Sequence, residues 1–226
     1  IITVALLICI PVVWLVIVRM EGTVPNLDVG MTSPFIGKSS TVKVAVDDAG
    51  SGIRKVRMEL LVDGREVEIM QRSFPSAGFF AGGREKSVKI NAPVSPQALG
   101  LADGKGMLRV TVWDYSLRKL GKGNLAYLEK PIQIDTRAPV IDVISRTHNL
   151  NQGGSGLAIY RLSEACPHSG VSVGDRFYPG YAGHFADSSI YMAFFALDFQ
   201  LGKGTRLSVS ATDYADNKAV AGLNYH

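Results

Sequence analysis

Two segments about a hundred residues apart repeat one pattern, LRVTVWDYSLRK at 108–119 and LSVSATDYADNK at 207–218. In each, apolar residues alternate with polar ones and the run closes on Asp-Tyr. Alternation at period two marks a half-buried strand, because successive side chains leave a strand on opposite faces. The same period fills most of the chain beyond residue 22. Val42, Val44 and Val46 alternate with Thr41, Lys43 and Ala45, and Val56, Met58 and Leu60 with Lys55, Arg57 and Glu59. Val88 and Ile90, then Leu108, Val110 and Val112, continue it. Turn-forming clusters separate the runs: DDAGSG at 47–52, DGRE at 63–66, AGGRE at 81–85 and ADGKG at 102–106. No long stretch beyond residue 22 carries the helical period. Short strands with frequent turns predict an all-β chain of antiparallel sandwiches.

The repetition extends beyond the Asp-Tyr segments. PNLDV at 25–29 matches PVIDV at 139–143, and GSGIRKVRMEL from Gly50 has a loose counterpart in HSGVSVGDRFY from His168. Three matches in one order point to a duplicated module. The prediction is two tandem Ig-like antiparallel β-sandwiches, over 24–135 and 137–226. The first closes with NLAYLEKPIQIDT at 124–136, whereas the second stops at AGLNYH soon after its Asp-Tyr turn. The last strand of the second module is therefore expected to be truncated.

Ahead of both modules lies IITVALLICIPVVWLVIV, 18 residues without a charge. As a helix it would span ~27 Å, close to the hydrocarbon thickness of a bilayer. It shows no polar face, and Arg19 and Glu21 mark its exit into water. The run is longer than the apolar part of a cleaved signal peptide and no A-x-A follows it. Residues 1–20 are thus predicted to be one N-terminal transmembrane helix, an uncleaved signal anchor. In a bacterium this places the protein in the inner membrane, single-pass, with its bulk in the periplasm. The chain begins with Ile, so the flank that would set orientation is expected to lie upstream.

Net charge is +4, but the Lys and Arg residues are scattered and form no stripe interleaved with aromatics. That argues against nucleic acid as a partner. The two cysteines, Cys9 and Cys166, are far apart and form neither a CxxC pair nor a disulfide framework.

The repeated Asp-Tyr pairs, Asp114-Tyr115 and Asp213-Tyr214, admit three readings. As structural corners, each Asp would bond the backbone two residues on and each Tyr would pack its ring over the sandwich end. As a calcium site, Asp47, Asp48, Asp114, Asp213 and Asp216 could supply oxygens, although no dense D-x-D-x-D loop is present. As catalytic groups they lack partners. The corner reading is preferred, with calcium as its rival. His184 and Asp187 in GHFADSS have no further His or Cys near them, short of the three or four ligands zinc takes. Cys166 and His168 flank Pro167 and read as a turn rather than a catalytic pair, and QGGSGLA at 152–158 lacks the ending of a phosphate loop. No catalytic and no metal residues are assigned. FYPGYAGHF at 177–185 is aromatic and Gly-rich enough to touch a ligand, which makes Phe177, Tyr178, Tyr181 and His184 a candidate contact loop. The alternative is that these aromatics cap the second sandwich.

Several phrases, DTRAPVIDV, NLNQGGSGLAIYRLSE, SGVSVGDRFYPGY, DSSIYMAFFAL and SATDYADNKA, together resemble the region ahead of the catalytic domain in membrane-anchored bacterial endopeptidases of the lysostaphin/LytM type. The resemblance is clearest from Asp135 to Asn217. It implies a membrane anchor and Ig-like segments of a zinc enzyme that cleaves peptidoglycan cross-links. It also implies that the inner membrane and peptidoglycan are partners. The family's zinc site needs H-x-x-x-D and a downstream H-x-H, and neither occurs in these 226 residues. No catalytic residue carries over, and no cofactor is expected in this chain. Zinc is expected only in a catalytic domain downstream of His226. A competing expectation is a cell-envelope adhesion or carbohydrate-binding ectodomain with no linked enzyme.

Overall fold

The computed structural model describes residues 10, 12–17, 19–78, 80–201 and 204–226. It divides into two units, Ile1–Ile134 and Asp135–His226, each with its own sheets and core.

The first unit contains β1 (Asn26–Gly30), β2 (Phe35–Ile36), β3 (Ser40–Asp47), β4 (Ile53–Val62), β5 (Arg65–Ser73), β6 (Ser76–Gly78), β7 (Gly82–Gly83), β8 (Ser87–Val94), β9 (Gly104–Asp114) and β10 (Leu125–Ile134). One sheet has the order β1-β3-β8 and the other β2-β10-β9-β4-β5, while β6 and β7 form a small hairpin. All pairings are antiparallel except that of β2 with β10. The period-two pattern becomes two inner faces. Val42, Val44 and Val46 of β3 stand beside Val88, Ile90 and Ala92 of β8, and Met58 and Leu60 of β4 beside Val110 and Leu108 of β9. These residues of both sheets form one buried cluster. Each such buried aliphatic side chain contributes about 1.5–3 kcal/mol by leaving water.

Two places depart from simple alternation. The pairing of β4 with β5 shifts register between Met58 and Glu59 while β4 stays in register with β9 there, and Glu59, on the face opposite Met58 and Leu60, is buried beside Arg57, which pairs with it at 2.5 Å. Between β9 and β10 the chain makes one distorted helical turn, α1 (Arg118–Gly121), left-handed at Lys119 and Leu120.

The second unit contains β11 (Ile141–Val143), β12 (Thr147–His148), β13 (Ser155–Leu162), β14 (His168–Val173), β15 (Arg176–Pro179), β16 (Ile190–Ala196), β17 (Leu207–Thr212), β18 (Lys218–Gly222) and β19 (Asn224–Tyr225). Its sheets, β11-β13-β16 and β15-β14-β17-β18, repeat β1-β3-β8 and β5-β4-β9-β10 of the first. The parallel pairing of β12 with β19 repeats that of β2 with β10. The place of β10 is taken here by two short strands, Lys218–Gly222 paired along β17 and Asn224–Tyr225 along β12, with buried Leu223 between them. The alternation of the first is hidden in the sequence because the small residues Ala219, Ala221 and Gly222 occupy it.

The expected membrane anchor falls mostly on residues 1–9, 11 and 18, which lie outside the described residues. Residues 12–17 are helical, with Trp14 and Ile17 exposed. Among the described residues no helix is long and apolar enough to cross a membrane.

Candidate functional site

The repeated Asp-Tyr turns sit at one end of each unit, where a lead-in segment and two strand ends converge. In the first unit Asp114 ends β9 and is fully buried. Its Oδ1 accepts the N–H groups of Ser116 at 3.0 Å and Asn124 at 2.7 Å, and its Oδ2 accepts the Asn124 side-chain amide at 2.8 Å. That amide also donates to the carbonyls of Glu21 and Thr23, both at 3.1 Å. Gly123 makes the approach possible: its φ is +83°, and a Cβ there would lie 2.6 Å from Asp114 Oδ1.

The lead-in segment is pinned at the same corner. Ser116 Oγ donates to Glu21 O at 3.0 Å, Leu117 N–H to Arg19 O at 2.9 Å, and Arg118 Nε to Met20 O at 3.1 Å. Arg19, itself buried, donates through Nη2 to Tyr115 O at 2.9 Å. The Tyr115 hydroxyl donates to Phe74 O at 2.7 Å.

Three carboxylates meet here. Glu21 Oε1 accepts the Ser51 N–H at 2.9 Å and its hydroxyl at 3.2 Å. Asp48 follows β3 directly, is 5% exposed, and accepts the Gly50 N–H on Oδ1 at 3.0 Å. One oxygen from each of Glu21, Asp48 and Asp114 lies within 4.8 Å of the others. Asp48 Oδ2 is buried with no hydrogen-bond partner. Burial holds the Asp48 carboxyl above its ordinary range, and the charges of Glu21 and Asp114 push it in the same direction.

The second unit repeats this construction. Asp213 Oδ1 accepts the N–H groups of Ala215 at 2.8 Å and Asn217 at 2.9 Å, and Oδ2 accepts the Asn217 side-chain amide at 2.9 Å. That amide donates in turn to Asp135 O at 2.8 Å. Asp135, Glu164 and Asp213 also bring one oxygen each within 4.8 Å. Burial, then Asp135 and Asp213, raise the pKa of Glu164. The two corners differ in spacing. Asn124 follows its Asp by ten positions with α1 in between, whereas Asn217 follows by four.

Of the aspartates considered for calcium, Asp48 and Asp114 come together in the first unit and Asp213 stands in the cluster of the second. Asp47 and Asp216 are exposed and belong to neither. Glu21, Asp135, Glu164 and the two asparagines were not among the residues considered for calcium from sequence. The signal was available in the alignment of the repeats: Glu21-x-x-x-Pro25 against Asp135-x-x-x-Pro139, and an acid two positions after buried Val46 and Leu162. Tyr115 and Tyr214 diverge, because Tyr214 is 52% exposed.

The residues of the candidate contact loop do not share one face. Phe177 and Tyr178 are neighbours on β15 and face opposite sides: Phe177 is exposed, while Tyr178 packs on the core and donates to Ala196 O at 3.1 Å. Tyr181 exchanges backbone bonds with Met192 and exposes its ring, and His184 is exposed. Asp187 is engaged by Ser189 and Arg161, which hold its pKa below the ordinary value. Cys166 is buried, donates to Glu164 O at 3.7 Å, and has its thiol pushed up to about 11, chiefly by burial. A thiol in that state is a poor nucleophile at neutral pH. Neither three-carboxylate cluster includes a histidine or a cysteine.

No family model matches the chain, and no curated protein matches it. Among solved structures, red sea bream transglutaminase aligns over 91% of this chain and 32% of its own, at 12% identity and a TM-score of 0.35. Murine CEACAM1b aligns over 89% of this chain and all of its own, at 8% identity and the same TM-score. Dimeric latent PorU from Porphyromonas gingivalis aligns over 88% of this chain and 20% of its own, at 15% identity and a TM-score of 0.34. The chain thus spans about a third of the transglutaminase. TM-scores of this size do not define a shared fold.

Proposed function

We propose that the chain is the non-catalytic anchor and spacer of a peptidoglycan-cleaving endopeptidase of the lysostaphin/LytM type. Two tandem Ig-like sandwiches follow an N-terminal membrane helix in the bacterial inner membrane and stand in the periplasm. The observation that carries this reading is the treatment of the lead-in segments. Each unit spends a buried Asp–Asn pair, Asp114 with Asn124 and Asp213 with Asn217, on fixing the chain that leads into it. A module built that way sets the direction of what it carries. The zinc chemistry belongs to a catalytic domain outside these residues.

The test compares the parent enzyme with a version lacking residues 24–217. The spacer reading expects equal hydrolysis of soluble cross-linked muropeptides and reduced release from intact sacculi when the enzyme is membrane-bound. Equal release from sacculi overturns it. A second reading, wall-glycan binding, is favoured by the exposed rings of Phe177 and Tyr181. Co-sedimentation of the full chain with insoluble peptidoglycan, lost in Phe177→Ala and Tyr181→Ala, would establish binding in place of spacing.

A further inference from the structure

The acidic corner of the first unit has a feature that corner-making alone does not explain. Its structural task is complete without Asp48: Asp114 and Asn124 join β9, β10 and the lead-in segment, and Ser51 holds Glu21. Asp48 nevertheless brings a third carboxylate into the group with one buried oxygen that has no hydrogen-bond partner. A buried acceptor without a partner is destabilising, and more so when it is charged. Its carboxylate neighbours, Glu21 and Asp114, make the site more expensive rather than less. A cation removes both costs together.

We infer that Glu21, Asp48 and Asp114 form a calcium-binding site that fastens the lead-in segment to the ends of β3 and β9. The inference goes beyond the spacer reading and does not depend on it.

The chemistry of the donors selects the ion. All three are hard carboxylate oxygens, with no imidazole or thiolate among them, which disfavours zinc. Oxygens bound to one calcium ion stand at most about 4.6–5.2 Å apart, given its 2.3–2.6 Å bonds, and these three all lie within 4.8 Å of one another, close enough to share one ion. Magnesium rarely takes a cage made wholly of protein carboxylates, because it keeps several waters. Position gives the site its consequence. Glu21 lies on the lead-in segment four residues before Pro25, Asp48 just after β3, and Asp114 at the end of β9. One ion therefore ties three distant parts of the sequence and adds to the hydrogen bonds that already hold the segment carrying Arg19 and Glu21.

The experiment is calcium titration of the full chain by calorimetry, paired with thermal melts in calcium and in chelator. Both tryptophans, Trp14 and Trp113, belong to the first unit, so fluorescence follows its transition. Wild type is expected to bind calcium and to gain roughly 5 °C or more in its first-unit midpoint at about 5 mM calcium, above the range of weak extracellular sites. Asp48→Asn keeps the acceptor for Gly50 and removes the uncompensated charge. It is expected to melt no lower than wild type in chelator, to lose the calcium shift, and to bind one ion fewer per chain. Glu21→Gln, which keeps an acceptor for Ser51, is expected to lose the same ion and serves if Asp48→Asn fails to fold. No heat and no shift with wild type, or unchanged stoichiometry in a folded Asp48→Asn or Glu21→Gln protein, would overturn the inference. So would an equal shift with magnesium alone.

Discussion

Asn124 grips Asp114 from two directions, its backbone N–H reaching Oδ1 at 2.7 Å and its side-chain amide reaching Oδ2 at 2.8 Å. Asn217 does the same to Asp213 at 2.9 Å and 2.9 Å. In each unit the same amide goes on to a carbonyl of the lead-in segment. The pairing closes the last turn of the module and fixes where the chain comes in, two tasks that would otherwise need separate contacts.

Replacing Asn124 by Ala removes three bonds from its side chain and leaves a buried carboxylate short of one donor. The expected loss is about 2–4 kcal/mol for the first unit. Urea denaturation followed by tryptophan fluorescence reads it. A change below about 0.5 kcal/mol would show that the pairing is incidental.

Gly123 should not tolerate a side chain. At φ +83°, with Asp114 O 2.4 Å from the added Cβ, Gly123→Ala combines backbone strain with a clash against the residue it frames. A loss of about 2 kcal/mol or more is expected in the same urea experiment. At Gly121, also left-handed but with open space around it, the corresponding substitution carries only the strain.

Tyr115→Phe deletes the single hydroxyl bond to Phe74 O while keeping the ring. A net loss of about 1 kcal/mol is expected. Because the bond crosses from the Asp-Tyr turn to the chain just after β5, backbone hydrogen exchange at residues 74–76 should accelerate with it.

In the second unit, Cys166 offers a probe of opening. With its pKa near 11, the native thiol is about 0.1% ionised at pH 8, on the order of a hundredfold less than an ordinary exposed cysteine. In a Cys9→Ser background, labelling by a thiol reagent should be slow in buffer, fast in denaturant, and about tenfold faster per pH unit up to pH 11. The linkage has a definite sign. The folded state holds this proton more tightly than the unfolded chain, so the stability is fully present below the unfolded pKa, about 8.5, and is lost as pH rises toward 11. Fast labelling of native protein at pH 7 would mean that the thiol is not buried.

Strand positions were legible because burial in a sheet has period two. Val42, Val44 and Val46 and their partners on β8 can be read without coordinates. β18 was not legible, because Ala219 and Ala221 carry almost no hydropathy contrast and register there is imposed by pairing with β17. Nor was the role of Asn124, which is separated from Asp114 by ten positions and a local left-handed turn. Asp187, three residues after His184 in sequence, is turned to Ser189 and Arg161, a placement its spacing does not record.

The sequence by itself determined that this chain folds as a duplicated, strand-built protein with an Asp-Tyr turn late in each copy, because alternation and turn chemistry act between near neighbours. Only the tertiary structure decided which acids stand together. Glu21, Asp48 and Asp114 are scattered along the chain, and the approach of their charges is set by where strand ends and the lead-in segment meet. Proximity across such distances costs chain entropy and like-charge repulsion, which the packed sheets and the Asp–Asn pairs offset and no local pattern records.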